Sequence, residues 1–143
     1  MSLPRGFSLI ELVVAMIVAA IVAVLVVPQL RDNETSASWY QEQVLAAVRY
    51  AQRQAVAQHR SIFVCVAPGA IRLGYDNTCA TPLAAPGQTG NGLTAPGSVT
   101  LSASTTPFSF NALGQPNPIG GVTLSAGSRS INVTAETGYV FIN

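Results

Sequence analysis

Lysine is missing from the 143 residues, histidine occurs once, and charged side chains make up only 9% of the chain, far below the usual quarter. Seven arginines nearly balance six acids for a formal charge of +1. That balance excludes a protein that coats a polyanion by bulk charge, though it leaves room for a local basic patch. His59 has no Ser, Asp or Cys constellation beside it, and Asp32, Glu34, Asp76 and Glu136 are scattered along the chain. No triad, zinc-type Cys/His spacing or phosphate loop can be assembled from them. The sequence therefore predicts no enzyme, no metal site and no cofactor, and His59 reads as structural.

Cysteine is nearly absent too. Cys65 and Cys79 stand fourteen residues apart with Pro68 and Gly69 between them. They either close a small loop, contributing about 3 kcal/mol in the chain-entropy picture, or remain two free thiols. Export from the reducing cytosol is the condition that favours the first. Long helices are also lacking from the second half, where most of the twelve glycines and nine prolines punctuate short segments.

Against this sparse background one feature dominates. Every residue from Leu12 to Val27 is apolar, sixteen in a row, and Phe7-Ser8-Leu9-Ile10-Glu11 extends the span toward the N-terminus. As a helix, residues 7–27 would measure about 31 Å, close to the hydrocarbon thickness of a bilayer. The sequence thus predicts a single transmembrane helix over 7–27. An ordinary secretory signal has an apolar stretch of 7–15 residues and a small-residue cleavage site behind it; here Pro28-Gln29-Leu30-Arg31 follows instead. A plain single-pass anchor leaves Glu11 unexplained, because an ionisable group inside an apolar span is costly without a partner.

Beyond a bend expected at Pro28, Arg31-Asp32-Asn33-Glu34 marks emergence into water. At 100° per residue, Tyr40, Val44, Val48, Ala51 and Ala55 share one helix face, which Ile62 would extend. Arg49, Arg53 and Arg60 cluster on the opposite face, within about 40° of one another. The stripe predicts a helix over 28–60 covered by the rest of the chain, with the Arg face outward. That face is either solvated or a contact for DNA phosphates or an acidic partner subunit.

From residue 61 the pattern changes to short strands. Ile62–Val66 and Ala70–Tyr75 read as a hairpin turned by Pro68-Gly69, and residues 76–98 as a long loop tethered at Cys79. Further strands are expected at Val99–Leu101, Phe108–Phe110, Val122–Leu124, Ser130–Val133 and Tyr139–Ile142, the last two forming a hairpin. One antiparallel sheet whose apolar face is covered by the helical stripe is the simplest arrangement.

Gly6-Phe7-Ser8-Leu9-Ile10-Glu11-Leu12 resembles the processing motif of type IV prepilins and type II secretion pseudopilins. The resemblance implies cleavage between Gly6 and Phe7 by a prepilin peptidase and N-methylation of Phe7. Glu11 would then serve assembly as the fifth residue of the mature chain, its carboxylate meeting the Phe7 amine of a neighbour or of its own helix. Three further stretches resemble the minor pseudopilins of the GspH and FimT type: Val48 to Val56, Phe108-Ser109-Phe110 leading to Gly114, and Ile131-Asn132-Val133 followed by Gly138-Tyr139-Val140. The Cys65–Cys79 pair is similar to one in many FimT-like members, and MSHA-type minor pilins are another home.

The expected protein is therefore of α+β class, a type IV pilin-like fold with leader 1–6, N-terminal helix 7–60 and antiparallel β-rich head 61–143. It would sit in the inner membrane with its head in the periplasm. There it would join other pilin or pseudopilin subunits as a non-enzymatic subunit of a type II secretion pseudopilus or type IV pilus. The alternatives are a FimT-like minor pilin that binds DNA for uptake and a membrane-anchored periplasmic binding module that never polymerises.

Overall fold

The computed structural model describes the backbone of residues 8–86, 88, 92–97 and 99–143, and the side chains of the same residues apart from 23–35. Among the described residues one helix, α1 (Leu9–Gln58), precedes nine strands: β1 (Ile62–Ala67), β2 (Ala70–Gly74), β3 (Leu93–Thr94), β4 (Leu101–Ala103), β5 (Phe108–Phe110), β6 (Pro116–Asn117), β7 (Val122–Ala126), β8 (Arg129–Val133) and β9 (Val140–Ile142). Residues Ser36–Asn143 form one compact unit and Met1–Thr35 another.

The α+β class and the packing of helix on sheet are as expected; the membrane span is not. Among the described residues no helix is long and apolar enough to cross a membrane. The transmembrane assignment of 7–27 and the single-pass inner-membrane placement with a periplasmic head are corrected accordingly. The leader and the Gly6–Phe7 junction lie outside the described residues, as do the side chains of Pro28 and of Arg31 to Glu34, whose backbone continues α1.

Helix α1 stops at a left-handed residue. His59 has φ +50, its N–H donates to the Val56 carbonyl at 3.3 Å, and the Arg60 N–H reaches back to Ala55 at 3.2 Å. These two bonds are a Schellman ending with histidine where glycine is usual. The lone histidine thus closes the helix.

The apolar stripe of α1 is where periodicity puts it: Tyr40, Val44, Val48, Ala51 and Ala55 are all buried, and Gln41, Leu45 and Ala47 widen it. It covers two antiparallel sheets rather than one. The first has strand order β3-β2-β1-β5-β6 and the second β4-β7-β8-β9. The β1–β2 hairpin pairs Ala67 with Ala70 across Pro68-Gly69, as the turn residues demand. The β7–β8 hairpin turns at Gly127-Ser128, between the paired Ala126 and Arg129, where Gly127 takes φ +64. Strand β5 then joins β1, setting Phe110 opposite Ile62.

The sheets share one apolar core with α1, in which Ile62, Val64, Phe108, Phe110, Leu124 and Ile131 are essentially inaccessible. The stretch expected as a loop over 76–98 contributes β3 and an isolated bridge from Pro82 to Gly74.

Candidate functional site

Glu11 stands in the first turn of α1, its N–H donating to the Ser8 carbonyl at 3.0 Å. Around it Leu9, Ile10, Leu12, Val13 and Val14 are exposed, and the apolar exposure continues through Met16, Ile17, Val18, Ile21 and Val22. A helix surface with this much uncovered hydrocarbon and a single acid is built for burial against something.

Cys65 and Cys79 are joined as a disulfide with Cα atoms 6.3 Å apart. Inside the loop it closes, Asp76 acts as a hub. Its carboxylate accepts the Thr78 hydroxyl and the N–H groups of Thr78 and Ala80 on one oxygen, and the Thr81 N–H at 2.7 Å on the other. The Thr78 hydroxyl first, and then the Thr81 and Ala80 amides, hold this carboxyl well below the usual carboxylate range.

The three arginines expected on one outward face have three different surroundings. Arg49 is half-buried, and its Nε and Nη2 both donate to the Val140 carbonyl, at 3.1 and 2.9 Å. The Arg60 guanidinium lies 4.2 Å from the centroid of the Tyr75 ring, a cation–π contact. Arg53 is exposed.

Arg49 belongs to a set of polar contacts that fasten α1 to the sheets. The buried Gln41 donates from Nε2 to the Ala126 carbonyl at 2.7 Å. Gln52 donates to the carbonyls of Gly114 at 3.1 Å and Thr137 at 3.0 Å. A carbonyl facing a helix has no ladder partner there, and a long amide or guanidinium reaching from the helix satisfies it. This clasp joins the three stretches that resemble minor pseudopilins: Val48–Val56 donates, and the Gly114 and Gly138-Tyr139-Val140 stretches accept or flank. Neither Gln41 nor Gln52 stands out in the sequence. The one available signal is that 41, 48 and 52 fall on the helix face that carries the stripe.

Near the start of the compact unit, Trp39, Tyr40 and Gln43 from α1 meet Thr94 and Pro96 around a cleft of about 310 Å³. Trp39 is 69% exposed, whereas Tyr40 is buried, and the Tyr40 hydroxyl has no hydrogen-bond partner among the described residues. Burial pushes that hydroxyl up to about 12 from its ordinary 10. Tyr40→Phe is therefore expected to raise stability by about 1 kcal/mol in urea denaturation at neutral pH, because it removes an unsatisfied buried group. The folded-state value lies above the unfolded one, so the Tyr40 ionisation leaves stability untouched below pH 10 and lowers it as pH rises from there through about 12. A denaturation series over that range should show the decline in the parent chain and lack its Tyr40 share in Tyr40→Phe.

Among the described residues no group of three or more His, Cys, Asp or Glu side chains is placed to hold a metal ion.

The profile of a family described as type II transport protein GspH matches residues 41–138, and that of the prokaryotic N-terminal methylation motif matches residues 1–27. No curated protein sequence matches. Among solved structures, the type IV minor pilin FimU of Pseudomonas aeruginosa is similar in two crystal forms. One has 19% identity over 80% of this chain and 90% of that one, with a TM-score of 0.58. The other has 17% identity, 77% and 91% coverage and a TM-score of 0.53. The minor pseudopilin EpsH from the type 2 secretion system of Vibrio cholerae shares 12% identity over 76% of this chain and 93% of its own, with a TM-score of 0.53. At such identities the likeness establishes a common fold.

Proposed function

Because the chain belongs to the family of the type II transport protein GspH, a family of minor pilin and pseudopilin structural subunits without catalytic activity, we propose that it enters a filament through Glu11 after trimming at Gly6. A methylation motif over residues 1–27 ahead of a family match over 41–138 is the observation that carries this reading. Family-level processing by a peptidase and methyltransferase, and assembly with other pilin-type subunits, come with that membership.

The finer steps rest on the chemistry of the N-terminal segment. Cleavage between Gly6 and Phe7 creates an amine at the start of the apolar stretch 7–27, whose one acid is Glu11. When such helices pack side by side, their exposed leucines, isoleucines and valines leave water, and the carboxylate needs a cation at close range. The Phe7 amine of a neighbouring subunit meets that need and fixes the axial register. The DNA-contact reading of Arg49, Arg53 and Arg60 has less support, since Arg49 directs two of its donors to Val140.

Mass spectrometry of the chain from its host should find a methylated Phe7 at the N-terminus. Glu11→Ala should still be trimmed yet fail to co-purify with filament or pseudopilus fractions, and Glu11→Asp should partly rescue it. An untrimmed Met1 terminus, or Glu11→Ala incorporated as well as the parent, would falsify the reading.

A further inference from the structure

The second sheet has two unlike faces. Val122, Leu124, Ile131, Val133 and Val140 point into the core and are buried. Their neighbours face outward, where Thr123 stands opposite Asn132 and Asn132 opposite Phe141. This row across β7, β8 and β9 runs into a groove of about 640 Å³, bounded by Ser104 on one side and by the Gly120-Gly121 backbone on another. None of the described lining residues carries a charge.

Each group in the row has a defined hydrogen-bonding state. The Thr123 hydroxyl donates to Asn132 Oδ1 at 2.9 Å. The Thr123 N–H donates to Ser104 Oγ at 3.1 Å, so the Ser104 hydroxyl proton is left to donate elsewhere. With its oxygen engaged, Asn132 turns its Nδ2 toward no partner among the described residues, leaving two amide protons for a ligand. Beside them Phe141 lies nearly parallel to the exposed Tyr139 ring, with 6.0 Å between centroids and 20° between planes.

We propose that this groove is a binding site for a neutral oligosaccharide. The chemistry narrows the choice. With no cation in the lining, a polyanion such as nucleic acid finds no counter-charge, and with no acid a basic peptide finds none either. The hydroxyl and amide floor disfavours a purely apolar ligand, whose burial would strip these groups of water without replacement. A sugar ring has what remains: hydroxyls that pair with Asn132 Nδ2 and the Ser104 hydroxyl, and a C–H face that lies on an aromatic ring. Ligand sites of this kind set a few convergent polar groups beside an apolar wall. The inference does not depend on how the chain assembles.

The test uses the full chain, kept in solution by a detergent without a sugar headgroup because of the exposed apolar residues of α1. The probes are cellohexaose, chitohexaose and maltohexaose, with a sulfated oligosaccharide of similar length as the charged control. Amide NMR shifts should map at least one neutral sugar to Thr123, Asn132 and Phe141, with a Kd of about 1 mM or tighter. Phe141→Ala should weaken it about tenfold, the loss of one good contact. Asn132→Asp keeps the oxygen that accepts from Thr123 and removes the two amide protons, so it should weaken binding about tenfold while the thermal midpoint stays within about 2 °C of the parent. The sulfated control should bind no tighter. The proposal is overturned if all three neutral sugars leave these amides unmoved at about 10 mM, or if Asn132→Asp binds like the parent. It is equally overturned if the groove shifts follow protein concentration instead of sugar, which would show a second copy covering the face.

Discussion

Phe110→Ala is expected to destabilise the compact unit by about 3–5 kcal/mol, the range for deleting a buried aromatic ring from a core that collapses only partly. Phe110 is fully buried, and its ring meets Phe108 edge-to-face at 5.7 Å and 75°, a geometry that adds about 0.5–1.5 kcal/mol beyond burial. It also sits opposite Ile62 in the ladder that joins β5 to β1, so the cavity would open where the first sheet meets α1. A domain's whole stability is about 5–15 kcal/mol, so the variant should be partly unfolded at physiological temperature. Urea denaturation should show the midpoint falling with little change in slope. Leu113→Ala is the control: that side chain is 77% exposed, and its truncation should stay within about 0.5 kcal/mol. A Phe110→Ala loss below about 1 kcal/mol would mean that the ring is not holding the sheet to the helix.

What was legible follows the range over which each signal acts. The stripe Tyr40, Val44, Val48, Ala51 and Ala55 could be read because a helix repeats its faces every few residues, and burial of one face is a local demand. The hairpins at Pro68-Gly69 and Gly138 could be read because turn residues announce themselves. The split into two sheets could not, since it depends on β5 choosing β1 across a separation that no local pattern encodes. Strand β6, two residues beginning at Pro116, is too short to leave a periodic signal.

The arginine face shows a different limit. Helical angles place a Cα, but a long side chain travels farther than the angle suggests. Arg49, assigned to the outward side by its angle, bends to the Val140 carbonyl. The membrane span expected from the unbroken apolar run differs again, since among the described residues no helix is long and apolar enough to cross a membrane. The polar face of the second sheet was invisible because alternating Ser, Thr and Asn in strands read only as an outer surface.

The clasp between α1 and the sheets predicts the second large effect, a loss of at least about 3 kcal/mol for Gly138→Ala, at the upper end for backbone strain combined with overlap. Gly138 has φ +65, a conformation that already disfavours a side chain. A Cβ there would overlap the Gly114 carbonyl oxygen and come within 2.8 Å of Gln52 Nε2. The overlap is with backbone, so relief requires moving one of the two strand ends. Either movement loosens the Gln52 bonds to Gly114 and Thr137. Gly69→Ala is the matched control, since nothing lies within 4 Å of its added Cβ, and it should change stability by less than about 1 kcal/mol. If the clasp is a unit, Gln52→Ala should cost less in the Gly138→Ala background than in the parent, a non-additivity that a double-mutant cycle measures directly. Full additivity would show that Gly138 is required only by its own turn. For a structural subunit the difference matters, because the clasp fixes the β-rich surface to the helical segment Ser36–Gln58 that carries it.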